Sequence, residues 1–147
     1  MKLLIVSDTH GDRNFLRELT QIHYDADYYL HLGDSELSPE EISPFASVKG
    51  NMDYYHYPYE RILTIKNKSI LLVHGNDISK ISEEYMKENN VDIILFGHQH
   101  IAKIIKLENN RYIINPGSYT RPRDGSNGTY CIIKIDDDIN VEILERK

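Results

Sequence analysis

The sequence predicts an α/β (α+β) protein: two β-sheets packed face to face as a sandwich, with helices on the outside. Three observations carry that expectation. The first half alternates short apolar runs with helix-patterned stretches, and the second half is almost all strand-patterned. Five of the apolar runs exit into turns that hold Asp, Asn or His, usually beside glycine. The 147 residues suffice for one domain, 1–147, with a real core.

The elements come in this order. Lys2 to Val6, "KLLIV", reads as a buried strand. Phe15, Leu16, Leu19 and Ile22 then share one face of an amphipathic helix. "YYLHL", Tyr28 to Leu32, is a second strand. "SPEE" predicts a helix start, with Ser38 as N-cap, Pro39 in the first position and Glu41 closing a capping box. A short strand comes next in "ASVK". "ERILTIKNKSILLV" reads as a hairpin turning at Asn67-Lys68. Ile78, Ile81 and Tyr85 recur at helical spacing. "VDIILF" is another buried strand. "HIAKIIKL" pairs with "RYIINPG" across "ENN", and "GTYCIIKI" with "INVEILER" across Asp136 to Asp138.

The bulk composition excludes several classes. A net charge of −6 removes the basic footprint of a protein that grips long nucleic acid, so no stable nucleic-acid partner is expected. The N-terminal apolar run is too short for a signal peptide or a membrane span, so no membrane association is expected. Cys131 is the only cysteine, which rules out an internal disulfide and makes a cytoplasmic location the expectation. Cys131 itself reads as core packing.

The polar residues at the strand exits are of one chemical kind. "LLIV" leads to Asp8 and His10, "YLHL" to Asp34, "ASVK" to Asn51, "ILLV" to His74, and "IILF" to His98 and His100. Ligands in open sheets bind at the carboxyl ends of strands. Two Asp, one Asn and four His gathered on one rim suit a pair of divalent metal ions, with one carboxylate bridging. The set lacks thiolate, which argues against a structural zinc site. A metal pair about 3.5–4 Å apart clamps a phosphoryl group and acidifies a water between the ions.

The ordered motifs "DTH" (Asp8–His10), "GD" (Gly33-Asp34), "GNMD" (Gly50–Asp53), "HG" (His74-Gly75) and "GHQH" (Gly97–His100) resemble the calcineurin-like metallophosphoesterase superfamily. The tail "NPGSYTRPRDGSNGTY" is similar to that of its small single-domain bacterial and archaeal phosphodiesterase branch. The resemblance implies an αββα sandwich that hydrolyses a small phosphodiester by attack of a metal-bridging hydroxide. It implies one metal on Asp8, His10, Asp34 and His100, and another on Asp34, Asn51, His74 and His98. Asp34 would bridge, and Asp34, Asn51 and His98 would carry catalytic roles. Manganese is the implied activator, with iron, zinc or nickel as alternatives.

The sequence departs from that pattern at Met52. Many relatives place there a histidine taken as the general acid, oriented by the neighbouring Asp or Glu, here Asp53. His56 is a candidate replacement. His31 reads as a hydrogen-bonded core residue. Tyr54, Tyr55, Tyr57 and Tyr59 are a candidate contact surface for a homo-oligomer or an aromatic group. Arg121 and Arg123 are candidate phosphate binders or solvated loop residues. The alternative to an enzyme is a protein-binding scaffold on the same fold, as in the metallophosphoesterase-like subunit of the retromer coat. The complete ligand set favours the enzyme.

Overall fold

A computed structural model describes residues Met1–Lys147. Ten strands and two helices form two five-stranded sheets. β1 (Lys2–Val6), β2 (Tyr28–His31) and β3 (Ala46–Ser47) run parallel. β9 (Thr129–Ile135) and β10 (Ile139–Glu145) extend this sheet antiparallel, in the order β10-β9-β1-β2-β3. The second sheet has the order β4-β5-β6-β8-β7, from β4 (Glu60–Ile65), β5 (Lys68–Val73), β6 (Ile93–Leu95), β7 (Ala102–Lys106) and β8 (Tyr112–Pro116). β5, β6 and β8 are parallel, and β4 and β7 close the edges antiparallel.

The main core lies between the sheets, where Leu3, Ile5, Leu30, Ile70, Leu72, Ile93, Ile114 and Ile133 meet. Alternate residues of the same strands face outward. Leu4 and Val6 pack under α1 (Arg13–Ile22) through Leu16 and Leu19. Leu71 and Ile94 pack under α2 (Glu83–Asn89) through Met86. Burial on both faces explains why β1, β5 and β6 read as continuous apolar runs. Cys131 is buried in the inter-sheet core, where burial pushes its thiol up to about 12.

Four local expectations are corrected. Ser38 and Glu41 do form the reciprocal capping bonds, at 3.0 and 3.2 Å, but only a turn comes after them. Pro44, six residues on, has no N–H with which to continue a helix. The hairpin turns at Lys66-Asn67, one residue earlier than expected. Both have positive φ, 50° and 65°, as a two-residue hairpin loop demands. Ile78 lies outside any helix and is 70% exposed, because Ser82 caps α2 by accepting from the Tyr85 N–H. Ile22 ends α1 and is 54% exposed.

Candidate metal centre

β1, β2 and β3 end on the same rim as β5 and β6, and the loops beyond them bring all seven predicted ligand side chains together. Asp8, His10 and His100 form one group, and Asp34, His74 and His98 a second, with ligand atoms in each within 4.8 Å of one another. Asn51 Oδ1 joins the second, 2.8 Å from His74 Nε2 and 3.2 Å from His98 Nδ1. The resemblance assigned Asp34 to both metals. In the structure its carboxylate groups with the second set, 3.2 Å from His74 Nε2. Asp8 Oδ1 of the first group lies 3.9 Å from the same nitrogen, so the two groups adjoin.

Hydrogen bonds behind the rings fix which atoms face inward. His74 Nδ1–H donates to the Leu32 carbonyl at 2.7 Å and His100 Nδ1–H to the Arg121 carbonyl at 2.6 Å. Each Nε2 is then an inward lone pair. His10 Nδ1 lies 3.4 Å from Glu36 Oε2, so its Nε2 also faces inward, 3.3 Å from His100 Nε2. His98 is reversed and presents Nδ1 to His74 Nε2 at 3.3 Å.

Each group is thus a convergence of acceptors. Asp8 Oδ2 accepts from the Ser7 hydroxyl at 2.5 Å and the His98 N–H at 2.9 Å, while buried Asp8 Oδ1 has no hydrogen-bond partner. Asp34 Oδ1 accepts from the Met52 N–H at 2.8 Å, and Oδ2 faces the histidines. Carboxylate, amide oxygen and imidazole lone pairs aimed at shared centres suit cations, and a mixed N/O set suits divalent transition metals. Protons compete for the same positions. Burial lowers the His74 pKa, but Asp34 and Asp8 outweigh it and leave it raised. The Asp8 carboxylate, whose Oδ1 lies 3.3 Å from Nε2, raises His100. Burial pushes Asp8 and Asp34 up, yet their histidine partners hold both carboxyls below the ordinary value.

The local backbone is shaped for this convergence. Asp8, His10, Asp34, His98 and His100 all have φ between 46° and 69°. The left-handed region is unfavourable for residues with a Cβ, and such strain collects at functional sites. Glycine does the complementary work at Gly50 and Gly97. A Cβ on Gly50 would fall 2.1 Å from Asp34 Oδ1, and one on Gly97 2.0 Å from Ser7 Oγ.

Asp53 has a different role from the expected one. Its two oxygens accept the backbone N–H groups of Asp34, Glu36 and Gly50 at 2.7–2.9 Å. It fastens the β2 loop to the β3 loop, which occupies three of its roughly four acceptor positions. Met52 is 56% exposed on the wall of the site. His56 is exposed and does not line the cleft. His31 is buried, as expected. Its Nδ1 accepts from the Gly33 N–H at 3.1 Å, which leaves Nε2–H to donate to Thr9 Oγ1 at 2.9 Å. Burial lowers its pKa to about 4. Tyr54, Tyr55 and Tyr59 are exposed, but Tyr57 is buried and donates to the Leu37 carbonyl.

The group opens into a cleft of about 500 Å³ whose outer wall includes Glu36, Met52, Arg121, Pro122 and Arg123. Sequence reasoning missed Glu36. A carboxylate two residues past a candidate ligand carries little signal by itself, and only the fold brings it to His10.

The chain therefore has the fold of a hydrolase of phosphoric esters and two candidate metal-ligand groups. It belongs to the calcineurin-like phosphoesterase superfamily, whose domain profile matches residues 1–138. It is 34% identical over 148 residues to the probable metallophosphoesterase YsnB of Bacillus subtilis, covering 94% of this chain and 86% of that one. A solved predicted phosphoesterase of Streptococcus pneumoniae superposes with a TM-score of 0.85 at 31% identity, covering 98% and 88% of the two chains. An archaeal phosphodiesterase shares the fold, with a TM-score of 0.78 at 21% identity over 98% of this chain and 100% of that one. No helix is long and apolar enough to cross a membrane.

Proposed function

We propose that the protein is a dinuclear-metal-dependent phosphodiesterase acting on small phosphodiesters, with manganese as its activating metal. The observation that carries this reading is the pair of adjacent acceptor-only groups at the floor of one open cleft. Asp8, His10 and His100 would hold one ion, Asn51, His74 and His98 the other, with Asp34 between them. When bound, such ions supply an acidified water as nucleophile and positive charge at the phosphoryl oxygens.

The chain's own residues do the rest. The Leu32 and Arg121 carbonyls lock the aim of His74 and His100, so the donor set is preorganised. His98 turns Nδ1 inward, which leaves its Nε2–H to donate to a phosphoryl oxygen. Asn51 turns Oδ1 inward, which leaves its NH₂ as a second donor. Such donors act where charge develops in the transition state. The Met52 thioether carries no proton to give, so departure of the leaving group rests on its own stability.

The test is metal analysis of untagged protein reloaded with manganese, with turnover of bis(p-nitrophenyl) phosphate and p-nitrophenyl phosphate. The expected result is about two equivalents of metal and faster cleavage of the diester. Two bound equivalents with no diester turnover would favour a binding scaffold instead.

A further inference from the structure

We infer that Arg121 and Arg123 form an anion subsite beside the metal-ligand groups, and that the substrate carries a second phosphate there. The inference deepens the phosphodiesterase reading and rests on it for the site of the reacting phosphoryl group.

Both arginines, with Pro122 between them, line the same cleft as His10, Asp34, His98 and His100. The segment that carries them is fastened to the ligands. The Arg121 carbonyl accepts from His100 Nδ1–H at 2.6 Å, and the Arg123 N–H donates to the His100 carbonyl at 2.9 Å. The Arg121 N–H donates to Ser118 Oγ at 2.9 Å, and that hydroxyl donates to the Asp8 carbonyl at 2.8 Å. Pro122 further restricts the backbone. The two side chains therefore spring from a base held in place by Asp8 and His100.

Neither guanidinium has a partner. No ion pair of the chain includes them, although acidic residues outnumber basic ones by 23 to 17. Glu36, the carboxylate of the cleft wall outside the ligand set, is directed at His10. Met52 and Pro122 are the wall's apolar side chains, and no Phe, Tyr or Trp lines it, so the wall offers an uncharged alkyl group little apolar surface. Two guanidinium groups instead offer paired N–H donors of the geometry that phosphate oxygens accept. A cleft of about 500 Å³ holds a small molecule with one phosphate on the ligand groups and another on the arginines.

Calorimetry on the manganese-loaded protein with inorganic phosphate and with pyrophosphate tests this without turnover. The parent should bind pyrophosphate about tenfold or more tighter than phosphate. The Arg121→Ala/Arg123→Ala protein should lose most of that advantage and keep its manganese, because the hydrogen bonds to His100 come from backbone atoms of residues 121 and 123. The Arg121→Lys/Arg123→Lys protein, which keeps charge without the planar fork, should recover part of it. Should the alanine pair fail to fold, the two single alanine variants read the same ratio. Equal affinities in the parent, or an advantage unchanged by the substitutions, would overturn the inference. Failure to cleave aryl phosphodiesters would count against the phosphodiesterase reading and leave this binding comparison intact.

Discussion

The Asp34 backbone N–H donates to Asp53 Oδ2 at 2.9 Å, which ties a candidate bridging ligand to a residue that ligates nothing. The same carboxylate takes the N–H groups of Gly50 and Glu36. Asp53→Ala leaves these donors unpaired inside the protein and should cost about 3 kcal/mol. Denaturant unfolding should show that loss, together with a fall in manganese content. A variant of parental stability and metal content would show that the loops hold without Asp53.

Asp34→Asn keeps an acceptor for the Met52 N–H but removes the charge shared by the two groups. Manganese content should drop for both sites while the far-ultraviolet circular dichroism stays unchanged. Retention of two equivalents with full activity would exclude Asp34 as the bridge.

Glu36 lies 3.4 Å from His10 Nδ1 at a strained φ of 57°. A carboxylate behind a ligating histidine fixes its ring, and loss of such a partner typically costs about 10–100-fold in metal affinity. Glu36→Ala should weaken the tighter or the looser manganese site by that factor in a titration, with the other site nearly unmoved. Glu36→Gln, which keeps an acceptor oxygen, should lose less.

Met52 stands where the family resemblance leads us to expect a general acid. General acid catalysis is worth about 10²–10⁴-fold, so the rate should fall steeply as the leaving-group pKa rises. kcat/KM across a series of aryl and alkyl phosphodiesters reads that slope. Met52→His should flatten it, but incompletely, because three of the roughly four acceptor positions of Asp53 are already taken by backbone amides. A flat series in the parent would show that another group already supplies the proton.

His31 gives stability a pH dependence. Its folded pKa of about 4 lies below the unfolded value of 6.5. Between these values the unfolded chain binds the extra proton, so stability is full above about pH 6.5 and is lost as pH falls toward 4. The shift corresponds to about 3 kcal/mol. His31→Gln should lower stability at neutral pH, through the contacts to Thr9 and Gly33, and flatten the profile between pH 4 and 6.5. Denaturant midpoints at several pH values check both effects.

The strands along the chain were legible because burial on two faces writes itself as unbroken apolar runs, such as Leu3–Val6 and Ile70–Val73. The turn residues were legible because ligand chemistry admits few side chains, and each lies just past such a run. The helix starting at Ser38 was misread for a related reason. The capping box is a local signal, and it formed, but whether a helix grows from a cap is settled by packing and by Pro44.

The sequence by itself determined the sandwich, the seven candidate donor side chains and the unusual methionine at position 52. Propensity, periodicity and ligand type are properties of short stretches. The tertiary structure alone decided which donors meet and which way each ring turns. Asp8 reaches the His98 N–H across 90 residues, and His10 reaches His100 across the same span. It also decided that Asp53 serves backbone amides, that Glu36 stands behind His10, and that Arg121 and Arg123 face the cleft. These are hydrogen bonds and approaches between loops remote in the chain. Their partners are chosen by how two twisted sheets bring strand ends to one rim, which no local pattern of residues encodes.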